Sequence, residues 1–140
     1  MHRAALFALP LILAGLPVGA QTGTSPTGAP LGAEAFDAIS RGRTLTYATG
    51  GQVYGIEQYL PNRRVRWAFV DDLCKEGHWY PEGEQICFEY DGMPDRQCWT
   101  FYDTPGGLTA RFAGDPDSEP LVAVEDSAEP LACLGPEVGV

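Results

Sequence analysis

The chain holds two histidines, His2 and His78, and four cysteines, Cys74, Cys87, Cys98 and Cys133. These are the first residues to examine for chemistry. Cys74 and His78 stand four apart, which is not a usual zinc-ligand pair, and the other histidine, His2, falls in the N-terminal segment read below as a cleaved signal. No metal and no cofactor are therefore expected. A Ser-His-Asp triad needs a serine on a sharp exposed turn. Ser25, Ser40, Ser118 and Ser127 instead fall in a Thr/Gly/Pro-rich leader, at a helix end or in acidic loops. His78, between Gly77 and Trp79, alternates onto the face opposite Trp79 and reads as a surface or hydrogen-bonded structural histidine. No catalytic residue is assigned on this pattern.

Nineteen Asp and Glu offer carboxylates in quantity, but no pair stands out for glycosidase work, and Asp71-Asp72 reads as a turn. Asp115-Pro116-Asp117-Ser118-Glu119 alternates oxygen ligands as calcium loops do, yet lacks the following Gly and the closing bidentate Glu. Arg63, Arg64 and Arg66 concentrate positive charge in an acidic chain. They read as a barrel exterior paired with neighbouring acids, or as a local anion or partner site. The aromatic content is the larger signal. Trp67, Phe69, Trp79, Phe88, Trp99 and Phe101 are expected to point into a core. Tyr47, Tyr54 and Tyr59 are expected at the rim of a partly open barrel mouth that could receive a small apolar ligand or a partner's loop.

The elements that position these residues follow from the ends inward. Met1-His2-Arg3 is a short positive start, Ala4 to Leu16 is an uncharged apolar run, and Val18-Gly19-Ala20 supplies the small residues that signal peptidase accepts. Residues 1–20 are therefore read as a secretory signal cleaved between Ala20 and Gln21. Pro10 and Pro17 interrupt the run, which argues against a retained anchor. The expected location is the periplasm or the extracellular medium, with no membrane insertion after cleavage. Removing Arg3 with the signal leaves eight Lys and Arg against nineteen Asp and Glu, a formal charge of −11. That balance argues against nucleic acid and anionic lipid surfaces as partners, both of which attract basic patches.

Gln21 to Leu31 is a flexible leader in composition, and residues 32–140 form a single domain. Ala33 to Ser40 places Phe36 and Ile39 at helical spacing and predicts a short helix ending at Gly42. Beyond it, turn signals recur at intervals of about 10 to 12 residues, from Gly50-Gly51 through Pro81-Glu82-Gly83 to Asp115-Pro116. They bound seven strands, roughly 43–49, 52–60, 63–70, 73–80, 84–90, 96–103 and 107–113, with an eighth near Leu121–Val124. Inside them, Val65, Trp67 and Phe69 share a face, as do Ile86, Phe88 and Tyr90, and Gln97, Trp99 and Phe101. The expected fold is all-β, an antiparallel up-and-down meander of seven or eight strands forming a small barrel, lipocalin-like in architecture, with one N-terminal helix. The alternative is a two-sheet sandwich.

The four cysteines of an exported chain imply two disulfides. A hairpin closed by Asp91–Pro94, with Tyr90 facing Asp95, puts Phe88 opposite Gln97, Cys87 opposite Cys98 and Ile86 opposite Trp99. That register predicts Cys87–Cys98 and leaves Cys74–Cys133 by elimination.

Gly42-x-Thr44-Leu45, Tyr54-Gly55, Tyr59-Leu60, Gly77-x-Trp79, Ile86-Cys87-Phe88 and Cys98-Trp99 fall in an order that resembles a group of small exported bacterial proteins carrying a domain of unknown function. The resemblance runs from Gly42 to about Phe112. It implies an exported β-rich domain with a hairpin disulfide, and no activity. A G-x-W also opens the first strand of lipocalins, but here it falls in the fourth, so that family is not supported. The expected function is a binding module for a small ligand or cell-envelope component, acting as a monomer. The alternatives are a protein-binding inhibitor or envelope accessory factor, and a small hydrolase.

Overall fold

A computed structural model describes residues 28–70 and 72–133. The segment expected to be a cleaved signal and most of the leader lie outside the described residues, as do Asp71 and residues 134–140. Eight antiparallel strands close into one barrel, each paired with its sequence neighbours and β8 returning to β1. They are β1 (Thr44–Thr49), β2 (Gln52–Tyr59), β3 (Arg64–Phe69), β4 (Lys75–Glu82), β5 (Gln85–Tyr90), β6 (Gln97–Thr104), β7 (Gly107–Phe112) and β8 (Leu121–Ser127), preceded by helix α1 (Ala33–Ser40). The barrel is the expected meander, and closure leaves no free sheet edge. The eighth strand runs three residues beyond its expected end. Pro81 and Glu82, expected in a turn, instead continue β4 opposite Ile86 and Gln85, so the reversal is the tighter Gly83-Glu84.

Alternation puts Leu45, Tyr59, Val65, Trp79, Ile86, Phe88, Phe101, Leu108, Ala110 and Leu121 in the buried interior. Helix α1 fills one end. Phe36 is wholly buried, its ring 5.0 Å from Trp79, 5.6 Å from Tyr59 and 4.5 Å from Phe101. The helical face differs from the expected one: Phe36 and Ser40 are buried, whereas Ile39 is 38% exposed. Ser40 occupies the covered position because its hydroxyl donates to the Phe36 carbonyl at 2.8 Å, which satisfies the only polar atom of its side chain. The barrel also holds the last residue of the leader. Leu31 packs against the core, and its N–H donates to the Phe101 carbonyl at 2.7 Å.

Both disulfides form as expected. Cys87 and Cys98 face each other across β5 and β6 with Cα atoms 4.0 Å apart, in the register Ile86↔Trp99, Cys87↔Cys98, Phe88↔Gln97. Cys74–Cys133, Cα atoms 5.4 Å apart, fastens the segment after β8 to the outside of the barrel. On its way that segment is held by the Thr44 hydroxyl donating to the Glu129 carbonyl at 2.6 Å. The Leu131 N–H donates to the Gln58 side chain at 3.2 Å.

Candidate functional site

The end of the barrel opposite α1 is not filled. A cavity of about 240 Å³ runs inward from it, lined by Tyr47, Tyr54, Glu57, Tyr59, Trp67, Phe69, Phe88, Tyr90, Met93, Gln97, Trp99, Phe101, Ala110 and Leu121. Beside it lies a more open depression of about 330 Å³ that shares Tyr54, Gln97, Trp99 and Leu121 and adds Thr49, Phe112, Ser118 and Glu119. The acidic loop that lacks the full calcium-loop pattern therefore sits at the mouth. It is built as a turn, with the Ser118 hydroxyl donating to the Asp115 carbonyl at 2.7 Å.

Two polar pairs stand in this aromatic lining. The Tyr47 and Tyr59 hydroxyls share a hydrogen bond of 2.8 Å. The Tyr90 hydroxyl lies 3.0 and 3.2 Å from the two carboxylate oxygens of Glu57 and donates to them. Glu57 is 1% exposed, on a strand face otherwise carrying Gly55 and Tyr59. Burial pushes its pKa well above the usual carboxylate value of 4.5, and the Tyr90 hydrogen bond opposes this only in part. Burial also raises the pKa of Tyr47, Tyr59 and Tyr90, with Glu57 adding to each through charge repulsion. Among the described residues, no Lys, Arg or His lines the cavity.

Local backbone features make room for these groups. In the ladder between β1 and β2, Tyr47 pairs with Gly55 and Ala48 with Val53, so Tyr54 is the extra residue of a bulge. A bulge re-aims a side chain. Here it lets the Tyr54 ring reach Trp67 and Phe69, at 5.8 and 5.6 Å. Gly55 and Gly77 are places of close approach: a Cβ at Gly55 would overlap the Trp67 ring, and one at Gly77 the Glu89 carbonyl and the Tyr90 ring. The glycines of Tyr54-Gly55 and Gly77-x-Trp79 thus clear space for the rings around Glu57.

Of the rings expected inside, Trp67, Trp79, Phe88 and Phe101 are buried, while Phe69 and Trp99 are half-buried along the cavity. Of the three tyrosines expected at the rim, only Tyr54 is there, 39% exposed. Tyr47 and Tyr59 are deep inside, because their positions fall on the inner face well below the mouth. The arginines do not converge on the cavity. Arg63 lies 4.8 Å over the Trp79 ring at the helix end, Arg66 pairs with Glu76, and Arg64 is exposed opposite His78 across the outer face. His78 is on the outside as expected, with its Nε2 3.2 Å from Glu89. Among the described residues, the only grouping of three potential metal ligands is Glu82 with Cys87 and Cys98, whose sulfurs are bonded to each other. Glu57 escaped sequence reasoning. The available signal was its phase: it alternates with Tyr59, so an inward Tyr59 carries an inward carboxylate.

The raised Glu57 pKa has a consequence for stability. Above pH 4.5 the unfolded chain gives up this proton while the folded chain keeps it. Its contribution is therefore fully present below that pH and is lost as pH rises toward the folded value, by about 1.4 kcal/mol per unit. Glu57→Gln cannot ionise. The variant is expected to gain stability on the wild type as pH rises from about 5 to 8, read by urea denaturation at each pH. A constant difference between the two would mean that Glu57 ionises as freely in the barrel as in the unfolded chain.

Set against protein-family models, characterised proteins and solved structures, the chain matches none.

Proposed function

We propose that this protein is an exported binding module, periplasmic or secreted, that holds a small ligand in the barrel cavity. The observation that carries the reading is the buried polar constellation of Glu57, Tyr90, Tyr47 and Tyr59 inside an otherwise apolar aromatic cavity. An interior built only for stability would close over these rings. A cavity that keeps a few placed polar groups among aromatic side chains has the composition of a ligand site. Its volume of about 240 Å³ suits a molecule smaller than a typical drug. The lining offers no serine, cysteine or histidine as nucleophile or base, which favours binding over hydrolysis. Export is supported by two disulfides, which persist in oxidising compartments.

The test is mass spectrometry on protein exported from a bacterial host, run native and then denatured, alongside melting curves with a set of small fragments. The expected result is either extra mass released on denaturation or fragments that raise the melting temperature, since a ligand of the folded state stabilises it. A bare protein whose melting temperature no fragment moves would overturn the reading.

A further inference from the structure

We infer that the cavity takes a small protonated amine on an aromatic or alkyl body, with its ammonium group on the Glu57 carboxylate. The inference rests on the binding-module reading and assigns that site its ligand class.

A buried carboxyl is normally matched by a cation or by several hydrogen-bond donors. Glu57 has one donor, the Tyr90 hydroxyl, shared between both oxygens at 3.0 and 3.2 Å. A carboxylate has about four acceptor positions, so most of its capacity is uncommitted. Among the described residues none supplies a cation, since no Lys, Arg or His of these lines the cavity. An anionic ligand would meet an acid with nothing to neutralise either charge. A cationic ligand supplies the missing partner.

The surroundings fit the same class. Tyr54, Trp67, Phe69, Tyr90 and Trp99 offer ring faces, and a cation over a desolvated ring gains further attraction. One hydroxyl of the Tyr47–Tyr59 pair donates to the other at 2.8 Å, and both oxygens retain acceptor capacity for ammonium N–H groups. Glu119 stands in the depression outside the mouth, and the whole chain carries a formal charge of −10, so approaching cations are favoured. The rest of the lining is apolar and would cover the ligand's body.

Binding carries a proton balance. The empty site holds Glu57 toward its neutral acid form, and the ligand arrives as R–NH3+. In the complex the carboxylate faces the ammonium, so one proton passes from Glu57 to the buffer. The other titratable groups facing it are Tyr54, Tyr47, Tyr59 and Tyr90. The last three are held in their neutral form by burial, which leaves Glu57 as the source of the proton.

The experiment uses the exported full chain and matched probes: benzylamine, phenethylamine and hexylamine, their alcohols, and phenylacetate. Trp67 and Trp99 line the cavity, so their emission reports occupancy. At least one amine is expected to bind about 100-fold more tightly than its alcohol, the carboxylate not at all, from the value of a charge-assisted hydrogen bond. Affinity should rise about tenfold per pH unit below the folded Glu57 value. The binding heat should change with the buffer's ionisation heat, as release of one proton requires. Glu57→Gln should cut amine affinity about 100-fold and leave the alcohols unaffected. Alcohols binding as well as amines, with no proton release by the wild type, would overturn the amine assignment and keep the binding module. Failure of every probe, with no fragment stabilising the protein, would overturn both.

Discussion

Phe36→Ala is expected to destabilise the domain by about 3–5 kcal/mol, the range for removing a fully buried aromatic ring. The ring is 0% exposed and meets Tyr59, Trp79, Phe88 and Phe101, most of them edge-on, so its loss removes both burial and aromatic pairing. The helix has little else to hold it, because Ile39 is 38% exposed, Ala33 is small and only partly buried, and the only other buried side chain of α1 is the small Ser40. Urea denaturation followed by tryptophan emission measures the loss. The variant also has a functional signature. Tyr59, Phe88 and Phe101 line the cavity on one side and touch Phe36 on the other, so the vacated space adjoins the site. Longer alkylamines should gain affinity relative to short ones. A loss below about 1 kcal/mol would show that the barrel closes without its plug.

Removing the Cys74–Cys133 bridge as Cys74→Ala/Cys133→Ala is expected to cost about 4 kcal/mol, because it releases a loop of 59 residues in the unfolded chain. The same change at Cys87 and Cys98 frees a separation of 11 and is expected to cost about 3 kcal/mol. The first bridge encloses all of β4 to β8 and the segment after β8, the second a single hairpin that the ladder already holds. Neither pair of sulfurs lines the cavity, so binding of a probe amine should persist in both double variants wherever they remain folded. Denaturation midpoints in the two backgrounds separate the contributions. An equal cost would mean that the unfolded chain is compact enough for loop length to count for little.

The barrel was legible because a closed sheet with one buried face imposes a local pattern. Val65, Trp67 and Phe69 alternate with Arg64, Arg66 and Ala68, and the turns carry the Gly, Pro, Asn and Asp that reversal demands. The hairpin register follows from matching apolar faces, which is why the sequence pairs Cys87 with Cys98. The aromatic composition pointed to an interior that either fills or holds a ligand, and it could go no further.

What the tertiary structure decided lies where strict alternation breaks or where depth matters. Period two places Tyr54 on the face opposite Gly55, and only the bulge against β1 brings its ring to the mouth. Tyr47 and Tyr59 carry no mark of depth in the sequence. Their place inside shows only in the packing, where the two hydroxyls meet each other and Tyr59 lies against Phe36 of the helix. Arg63, Arg64 and Arg66 are neighbours in sequence and diverge in space, because a turn and two outward positions send them to different surroundings. Glu57 is the clearest case. As one of nineteen acids it looks like a solvated charge, and its burial depends on β3, β4 and β5 bringing Trp67 and Tyr90 around it. Sequence by itself determined the alternation that turns Val65, Trp67, Phe88 and Phe101 inward. Which inward residues leave a space, and which polar group waits in it, depended on the packing of all eight strands and the helix together, since a cavity belongs to no single strand.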